Sequence, residues 1–268
     1  MRFFGRSAFG GDFLRMTGWA FSKHPEKGCA TKDKKRKNME EKMMVERFTR
    51  SQRVQHFLLL VSFIILIVTG LALKFHDSWF GKLVITLEGG VIARGIFHRF
   101  AAVLLIFVAF YHFFYIIFTR YGHDEFLLVL PKFKDFKAAF QSVKFTLGLS
   151  AEHAEIDKYA PPDKFQYWAV VAGSFLTIIT GLVLWYQTQA MLVLPKWAID
   201  ITRVMHSYQG VIIAVVILLW HLYIVHLNPK RFPMSRIWID GKVSLEELKV
   251  EHPLEYERKY QGVADENK

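Results

Sequence analysis

Six histidines stand in or beside long apolar runs of this sequence. They are His56, His98, His112, His206, His221 and His226. An ionisable side chain is costly in hydrocarbon, so it commonly marks a functional site, although a single one can equally be hydrogen-bonded to a neighbouring helix. Imidazole is also a frequent ligand of haem iron. These histidines are therefore the first candidates for chemistry.

Four of the histidines form two pairs with nearly equal spacing. His98 and His112 are 14 residues apart, and His206 and His221 are 15 residues apart. In an α-helix the first pair shares a face at a separation of about 21 Å, and the second pair lies within about 60° of one face. Two such helices running the same way would bring His98 to His206 at an outer level. They would bring His112 to His221 at an inner level. Paired histidines suit six-coordinate haem iron, which carries electrons, whereas zinc would need its ligands around one point.

The elements that must position these histidines are four apolar runs. Each run is close in length to the roughly 20 residues that a helix needs to span a bilayer. They cover about residues 54–73, 96–118, 165–186 and 204–227, and Asn228-Pro229 should end the last. The predicted fold is an all-α membrane protein with a four-transmembrane-helix haem-binding bundle. The predicted domains are a basic tail over residues 1–52, the membrane domain over 53–228 and a second tail over 229–268.

Charge predicts the orientation of the bundle. The formal net charge is +11, and lysines and arginines crowd both tails and the central loop. By the positive-inside rule, both termini and the central loop should face the cytoplasm, and nucleic-acid binding is not needed to explain the charge. The single cysteine, Cys29, excludes an internal disulfide or an iron–sulfur cluster held by this chain alone.

Two surface helices are predicted beside the spans. After Pro131, apolar residues recur at helical spacing from Phe133 to Leu147 and alternate with lysines. This pattern predicts an amphipathic helix on the inner membrane surface, or else an ordinary helix packed on a soluble partner. In the tail, Ser244 and Glu247 form a capping-box pattern that should start a short helix.

The residues also resemble two kinds of membrane cytochrome b. One is the cytochrome b of quinol–cytochrome c complexes. The second and fourth spans of this chain resemble its haem-binding helices in the motifs Arg94-x3-His98-Arg99, His112, Thr202-Arg203-x2-His206 and His221. The other is the gamma subunit of formate dehydrogenase and the cytochrome b of nickel–iron hydrogenase. That resemblance rests on Arg53-x2-His56 before Thr69-Gly70, on Lys158-Tyr159, and on the tail from Asp240-Gly241-Lys242 to His252-Pro253. Together the resemblances cover about residues 53–260.

The two families imply different ligands for the inner haem. The gamma-type pattern implies His56 with His221, whereas the quinol–cytochrome c pattern implies His112 with His221. Depth along the spans favours His112, because His56 lies close to the end of its span. His56 could then contact a quinone, or join His226 around a third haem. Both could also be interfacial polar residues.

Further residues are candidates for the edges of the cofactor sites. Arg94, Arg99 and Arg203 flank the outer histidines and could pair with haem propionates, or simply extend into the interface. The gamma-type quinone pocket has an asparagine where this chain has Ala160. Asp163 and Lys164 are nearby polar candidates for the quinone, or solvated loop residues.

The function predicted is transmembrane electron transfer linked to a quinone. The cofactors would be two haems b, or three, and a quinone that the resemblance implies to be menaquinone. No substrate-oxidising centre is recognisable, so the partner would be an iron–sulfur, molybdenum or multihaem cytochrome c subunit, in a bacterial or archaeal inner membrane. The alternatives are a standalone transmembrane reductase, and a transporter or sensor whose histidines relay protons.

Overall fold

A computed structural model describes residues 43–150, 156–227, 232 and 234–266. Cys29 and Asn228-Pro229 lie outside these residues. The elements in chain order are β1 (Met44–Glu46), α1 (Arg50–Lys74), α2 (Trp79–Leu87), α3 (Val91–Phe118), α4 (Arg120–Val129), α5 (Phe133–Thr146), α6 (Pro161–Trp185), α7 (Gln187–Ala190), α8 (Lys196–Leu227), α9 (Ile237–Asp240), β2 (Lys242–Ser244), α10 (Leu245–Glu251) and α11 (Pro253–Glu266).

Four of these helices, α1, α3, α6 and α8, are long and apolar enough to cross a membrane, which confirms the predicted four-helix membrane fold. Local sequence explains where two of them begin. Thr49 caps α1, because its hydroxyl accepts the Gln52 amide at 3.4 Å while the Gln52 side-chain oxygen accepts the Thr49 amide at 2.9 Å. The helix α6 opens with two prolines, which have the helical φ and no amide hydrogen to leave unpaired. The helices α3 and α8 begin several residues before the predicted spans, because helical geometry continues beyond the hydrocarbon.

The spans pack as two pairs, α1 on α3 and α6 on α8. Small or polar residues such as Ser62, Thr69 and Ala101 are buried at the α1–α3 contact, whereas phenylalanines such as Phe100 and Phe107 stay exposed. Because lipid tails are as apolar as phenylalanine, small residues are the ones that let membrane helices approach closely. The polar side chains therefore point into the bundle, where the histidines also lie.

The fourth span changes its hydrogen bonding along its length. Lys196–Val215 is α-helical, whereas Val216–His221 and Tyr223–Leu227 are π-helical. A π-helix has i→i+5 hydrogen bonds and therefore more residues in each turn, and such segments are frequent at functional sites. The direction of His221 relative to His206 is therefore not the one that a purely α-helical spacing gives.

Both ends of the described chain meet at one end of the bundle. The strands β1 and β2 pair antiparallel with Val45 opposite Val243. Gly241 has a left-handed φ of 75°, and a side chain there would collide with the carbonyl oxygen of Phe48. As predicted, Ser244 caps the following helix, and its hydroxyl accepts the Glu247 amide at 3.2 Å.

Candidate functional site

The outer histidines, His98 on the second span and His206 on the fourth, face each other. Their ring centroids are 6.4 Å apart and their planes are inclined by 74°. A histidine nitrogen binds a metal ion at about 2 Å, so two imidazoles on opposite sides of one ion have ring centres about 6 Å apart. The pair therefore has the separation that a single iron between them requires.

Two threonines fix which nitrogen of each outer ring is free. The Thr69 hydroxyl donates to the carbonyl of Ile65 at 2.7 Å, so it accepts from Nδ1–H of His98, also at 2.7 Å. The Thr180 hydroxyl is bonded in the same way to His206 Nδ1 at 2.9 Å. With the proton held on Nδ1, each Nε2 keeps its lone pair, which is the state that a metal-binding imidazole needs.

The glycine after each threonine lies against the same ring. A Cβ at Gly181 would come within 3.1 Å of Cε1 of His206, and one at Gly70 within 3.6 Å of Cε1 of His98. The repeated Thr-Gly pair of the first and third spans thus supports one outer histidine in each half of the bundle. A methyl group at position 181 would crowd the ring.

The structure brings a second pair of histidines together, His56 on the first span and His221 on the fourth. Their ring centroids are 6.3 Å apart and the planes are inclined by 41°. The Gln166 amide of the third span is hydrogen-bonded to Nδ1 of His221. The separation again suits two ligands of one metal ion.

His112, the predicted partner of His221 at the inner level, is hydrogen-bonded to two protein side chains. Nδ1–H of His112 donates to Oε1 of Gln55 at 2.8 Å, and its Nε2 accepts from the Tyr167 hydroxyl at 2.9 Å. Both ring nitrogens are therefore occupied by protein groups, and His221 faces His56 instead. The choice between His56 and His112 as the inner ligand stays a prediction, and the π-helical turns before His221 change the direction that an α-helical spacing gives its side chain.

His226 lies five residues after His221, in the second π-helical segment of the fourth span. Its Nδ1 and that of His56 are buried and have no partner among the described residues. The His56 ring also lies 6.0 Å from that of Trp238, whose Nε1 is likewise without a partner in the described part. His56 faces His221, and a third haem between His56 and His226 stays a prediction.

The comparisons with known proteins decide the family. Residues 47–238 match the prokaryotic cytochrome b561 family, which is most of the chain. This chain belongs to that family. The cytochrome b556(Fdn) subunit of the nitrate-inducible formate dehydrogenase of Escherichia coli is 24% identical over 221 residues, covering 81% of this chain and 93% of the relative. The cytochrome b556(fdo) subunit of the same organism is 24% identical over 210 residues, covering 77% and 85%.

Membership in the cytochrome b561 family agrees with the geometry of the bundle. The chain is a multi-pass protein of the bacterial inner membrane that binds haem b and carries electrons. The threonine-held imidazoles, whose Nε2 atoms are free, and the glycines beside the rings fit the binding of a haem.

The three arginines flanking the outer site of this cytochrome have different surroundings. Arg94 donates to the carbonyl of Thr69 at 3.0 Å, next to the His98 site, and its Nε is buried without a partner in the described part. Arg99 lies over the ring of Trp185 at 5.3 Å. Arg203 is exposed and lies 3.6 Å from Asp200. Of the three, Arg94 is the one whose guanidinium is hydrogen-bonded next to an outer histidine while its buried Nε has no partner in the described part.

The two polar residues predicted for the quinone have structural partners in this cytochrome. Asp163 accepts the amide of Ala160 at 3.0 Å and so caps the third span. The Lys164 ammonium is buried and binds the Asp135 carboxylate at 2.8 Å. Both side chains therefore have a structural role, and their part in quinone binding stays a prediction.

A buried ionic cluster at the same end as the strands was missed by the sequence analysis. Lys158 is fully buried, and its ammonium donates to Glu125 at 2.7 Å and to the carbonyl of Arg47 at 3.0 Å. Tyr159 donates to the same carboxylate at 2.6 Å, and Arg47 reaches Nε2 of His252 at 2.8 Å. Of its members, Lys158, Tyr159 and His252 belong to the motifs of the family resemblance, whereas Glu125 and Arg47 do not, because the partners lie far apart in the sequence.

Burial shifts the titration of this cluster. It lowers the pKa of Lys158, against the opposing effect of the Glu125 carboxylate. It raises the pKa of Tyr159, and Glu125 raises it further. Burial and the neighbouring Arg47 lower the pKa of His252, whose Nδ1–H donates to the carbonyl of Asp157 at 2.8 Å. Neutral His252 thus accepts from Arg47, and the cluster joins β1, α4, the loop before α6 and the tail.

Proposed function

We propose that this cytochrome is the electron-transferring subunit of a quinone-linked membrane oxidoreductase complex. It would hold an outer haem b between His98 and His206 and an inner haem b between His56 and His221. The observation that carries this proposal is the pair of facing imidazoles at each level, with centroids 6.4 Å and 6.3 Å apart. The inner assignment follows the gamma-type pattern instead of the quinol–cytochrome c pattern.

The chain's own residues orient and protect these sites. Thr69 and Thr180 hold the Nδ1 protons of the outer ligands, and Gln166 holds the ring of His221. The apolar spans exclude water, so electrostatic interactions of a charge inside the bundle are stronger than they would be in water. When bound, haem supplies reversible one-electron transfer, for which the protein sets position and potential. Arg94 is the residue best placed to bind an outer propionate.

The partners follow from the relatives and from charge. The relatives are cytochrome b556 subunits of formate dehydrogenase, so we infer that an iron–sulfur, molybdenum or multihaem cytochrome c subunit docks at the outer face. The basic end of the bundle would face the cytoplasm, by the positive-inside rule. A quinone, taken to be menaquinone, would exchange electrons near the inner site, beside His56, His226 and Trp238.

The test is haem content per chain, measured as the pyridine haemochrome of the purified protein together with a reduced-minus-oxidised spectrum. We expect two haems b per chain, and reduction of both on addition of a menaquinol analogue. Three haems would add a site at His226 and overturn the two-haem proposal. A colourless preparation would overturn the electron-transfer proposal and favour a proton-relaying transporter. Haems that dithionite reduces and quinol does not would overturn only the quinone link.

A further inference from the structure

The helix α5 carries an apolar stripe that no part of the described chain covers. Phe133, Phe136, Phe140 and Val143 recur at intervals of three and four residues, so they share one face. Phe133 is 87% exposed and Phe136 is 72% exposed, and the stripe continues to Leu147 just after the helix. Contiguous exposed apolar surface of this kind marks a site that binds another apolar surface.

Contacts with the third span determine the depth of α5 relative to the membrane. The Lys164 ammonium, one turn inside α6, binds Asp135 at 2.8 Å near the start of α5. One turn further, the Trp168 indole donates to the carbonyl of Val129 at 3.2 Å, so the chain leading into α5 is held at the same place. Because α6 enters the hydrocarbon within these turns, α5 starts at the membrane–water interface.

The charge beside the stripe is positive. Between Pro131 and Ser150 the only acidic residue is Asp135, and its carboxylate is already neutralised by Lys164. The same stretch contains four lysines, which are Lys132, Lys134, Lys137 and Lys144. On a helix of 3.6 residues per turn, Lys137 and Lys144 border the stripe and Lys134 lies further round. The Lys144 ammonium lies 4.7 Å over the ring of Phe140, so its stem already follows the apolar face.

We propose that α5 is a binding surface for anionic phospholipid of the leaflet at the basic end of the bundle. The phenylalanine stripe enters the acyl region, and the lysines reach phosphate and acidic headgroups from its border. Amphipathic interfacial helices bind in this way, through apolar burial together with attraction to anionic lipid. This proposal is independent of how many haems the bundle holds.

Spin-label accessibility on the full chain in lipid nanodiscs tests the proposal. In a Cys29→Ser background, labels are placed on the stripe by Phe136→Cys or Phe140→Cys, and away from it by the control Lys134→Cys. In discs containing phosphatidylglycerol, we expect the stripe labels to collide with oxygen more than with an aqueous nickel chelate. The control label should show the reverse. Equal exposure of stripe and control labels to the chelate would overturn the proposal.

The charge requirement needs a second variant pair. Lys134→Glu/Lys137→Glu should lower the oxygen preference of a label at position 140 in anionic discs, and should leave it unchanged in phosphatidylcholine discs. The control Lys242→Glu/Lys249→Glu makes the same charge change in the tail and should have no effect. Haem per chain verifies that each variant is folded. The stripe labels could instead stay accessible to the aqueous chelate in lipid and lose this accessibility only when the other subunits of the complex are added. That result would show a protein partner and overturn the lipid proposal.

Discussion

At the scale of single residues, the outer site depends on one hydrogen-bond arrangement that occurs twice. A threonine hydroxyl satisfies its own helix and then accepts the Nδ1 proton of a histidine on the neighbouring span, at 2.7 Å for Thr69 and 2.9 Å for Thr180. Such partners orient a metal-bound imidazole and raise its basicity. The sequence showed the repeated Thr-Gly pairs and the histidine pairs separately, and their connection appears only in three dimensions.

Removing one of these threonine–histidine hydrogen bonds should weaken haem binding at the outer site without abolishing the fold. In Thr180→Val, Nδ1–H of His206 loses its acceptor, and we expect haem affinity at the outer site to fall roughly 10–100-fold. A less basic imidazole stabilises the ferric state less, so the midpoint potential of that haem should rise. Redox titration of the two b haems measures this. The control is Thr86→Val, because the Thr86 hydroxyl donates to the carbonyl of Lys82 and, among the described residues, contacts no histidine. Equal effects of both variants would contradict the prediction.

A second residue-scale prediction separates the two inner pairings. If His56 and His221 bind the inner haem, His56→Leu and His221→Leu should each lower the haem content from two per chain to one. His112→Leu should keep two, because His112 only bridges Gln55 and Tyr167. Haemochrome assays on the three purified variants decide which histidines bind the inner haem. Loss of a haem in His112→Leu with retention in His56→Leu would restore the quinol–cytochrome c pairing.

At the scale of elements, hydropathy and spacing predicted the four spans that position the candidate site. The four spans and the facing of His98 with His206 follow from apolar length and helical periodicity. The facing of His56 with His221 did not follow from depth along the spans, since the π-helical turns of α8 change the direction of His221 in a way that residue types do not signal. The ionic cluster was equally inaccessible, because Arg47 and its partner His252 are 205 positions apart in the sequence.

The cluster makes a prediction about how the elements are held together. In Lys158→Met the Glu125 carboxylate stays buried without its ammonium partner, and breaking a buried pair in this way costs about 3–5 kcal/mol. Lys158→Met/Glu125→Gln removes both charges and should cost less. Unfolding titrations of the purified protein in detergent compare them. The exposed Lys249→Met should stay within about 0.5 kcal/mol of the wild type, and a single variant no worse than the double would refute the argument.

At the scale of the whole molecule, the distribution of charge and the position of the strands define two unlike ends. The basic loop, β1 and β2 lie together at one end, whereas the two short connections between spans, which contain Trp79 at the start of α2 and Leu192, lie at the other. Because lysine and arginine are retained on the cytoplasmic side, the His56–His221 pair should lie near the cytoplasm and the His98–His206 pair near the outer surface. The direction of electron flow between a docked subunit and a quinone depends on this assignment.

Labelling of cysteines with a membrane-impermeant maleimide tests the orientation in intact spheroplasts. In a Cys29→Ser background, Leu192→Cys should react at once, because Leu192 is 85% exposed in an outer loop. Lys249→Cys, on the exposed face of α10, should react only after the membrane is made permeable. The reverse pattern would place the inner pair at the outer surface. The quinone would then have to exchange electrons at that side, and the docked subunit would have to lie in the cytoplasm.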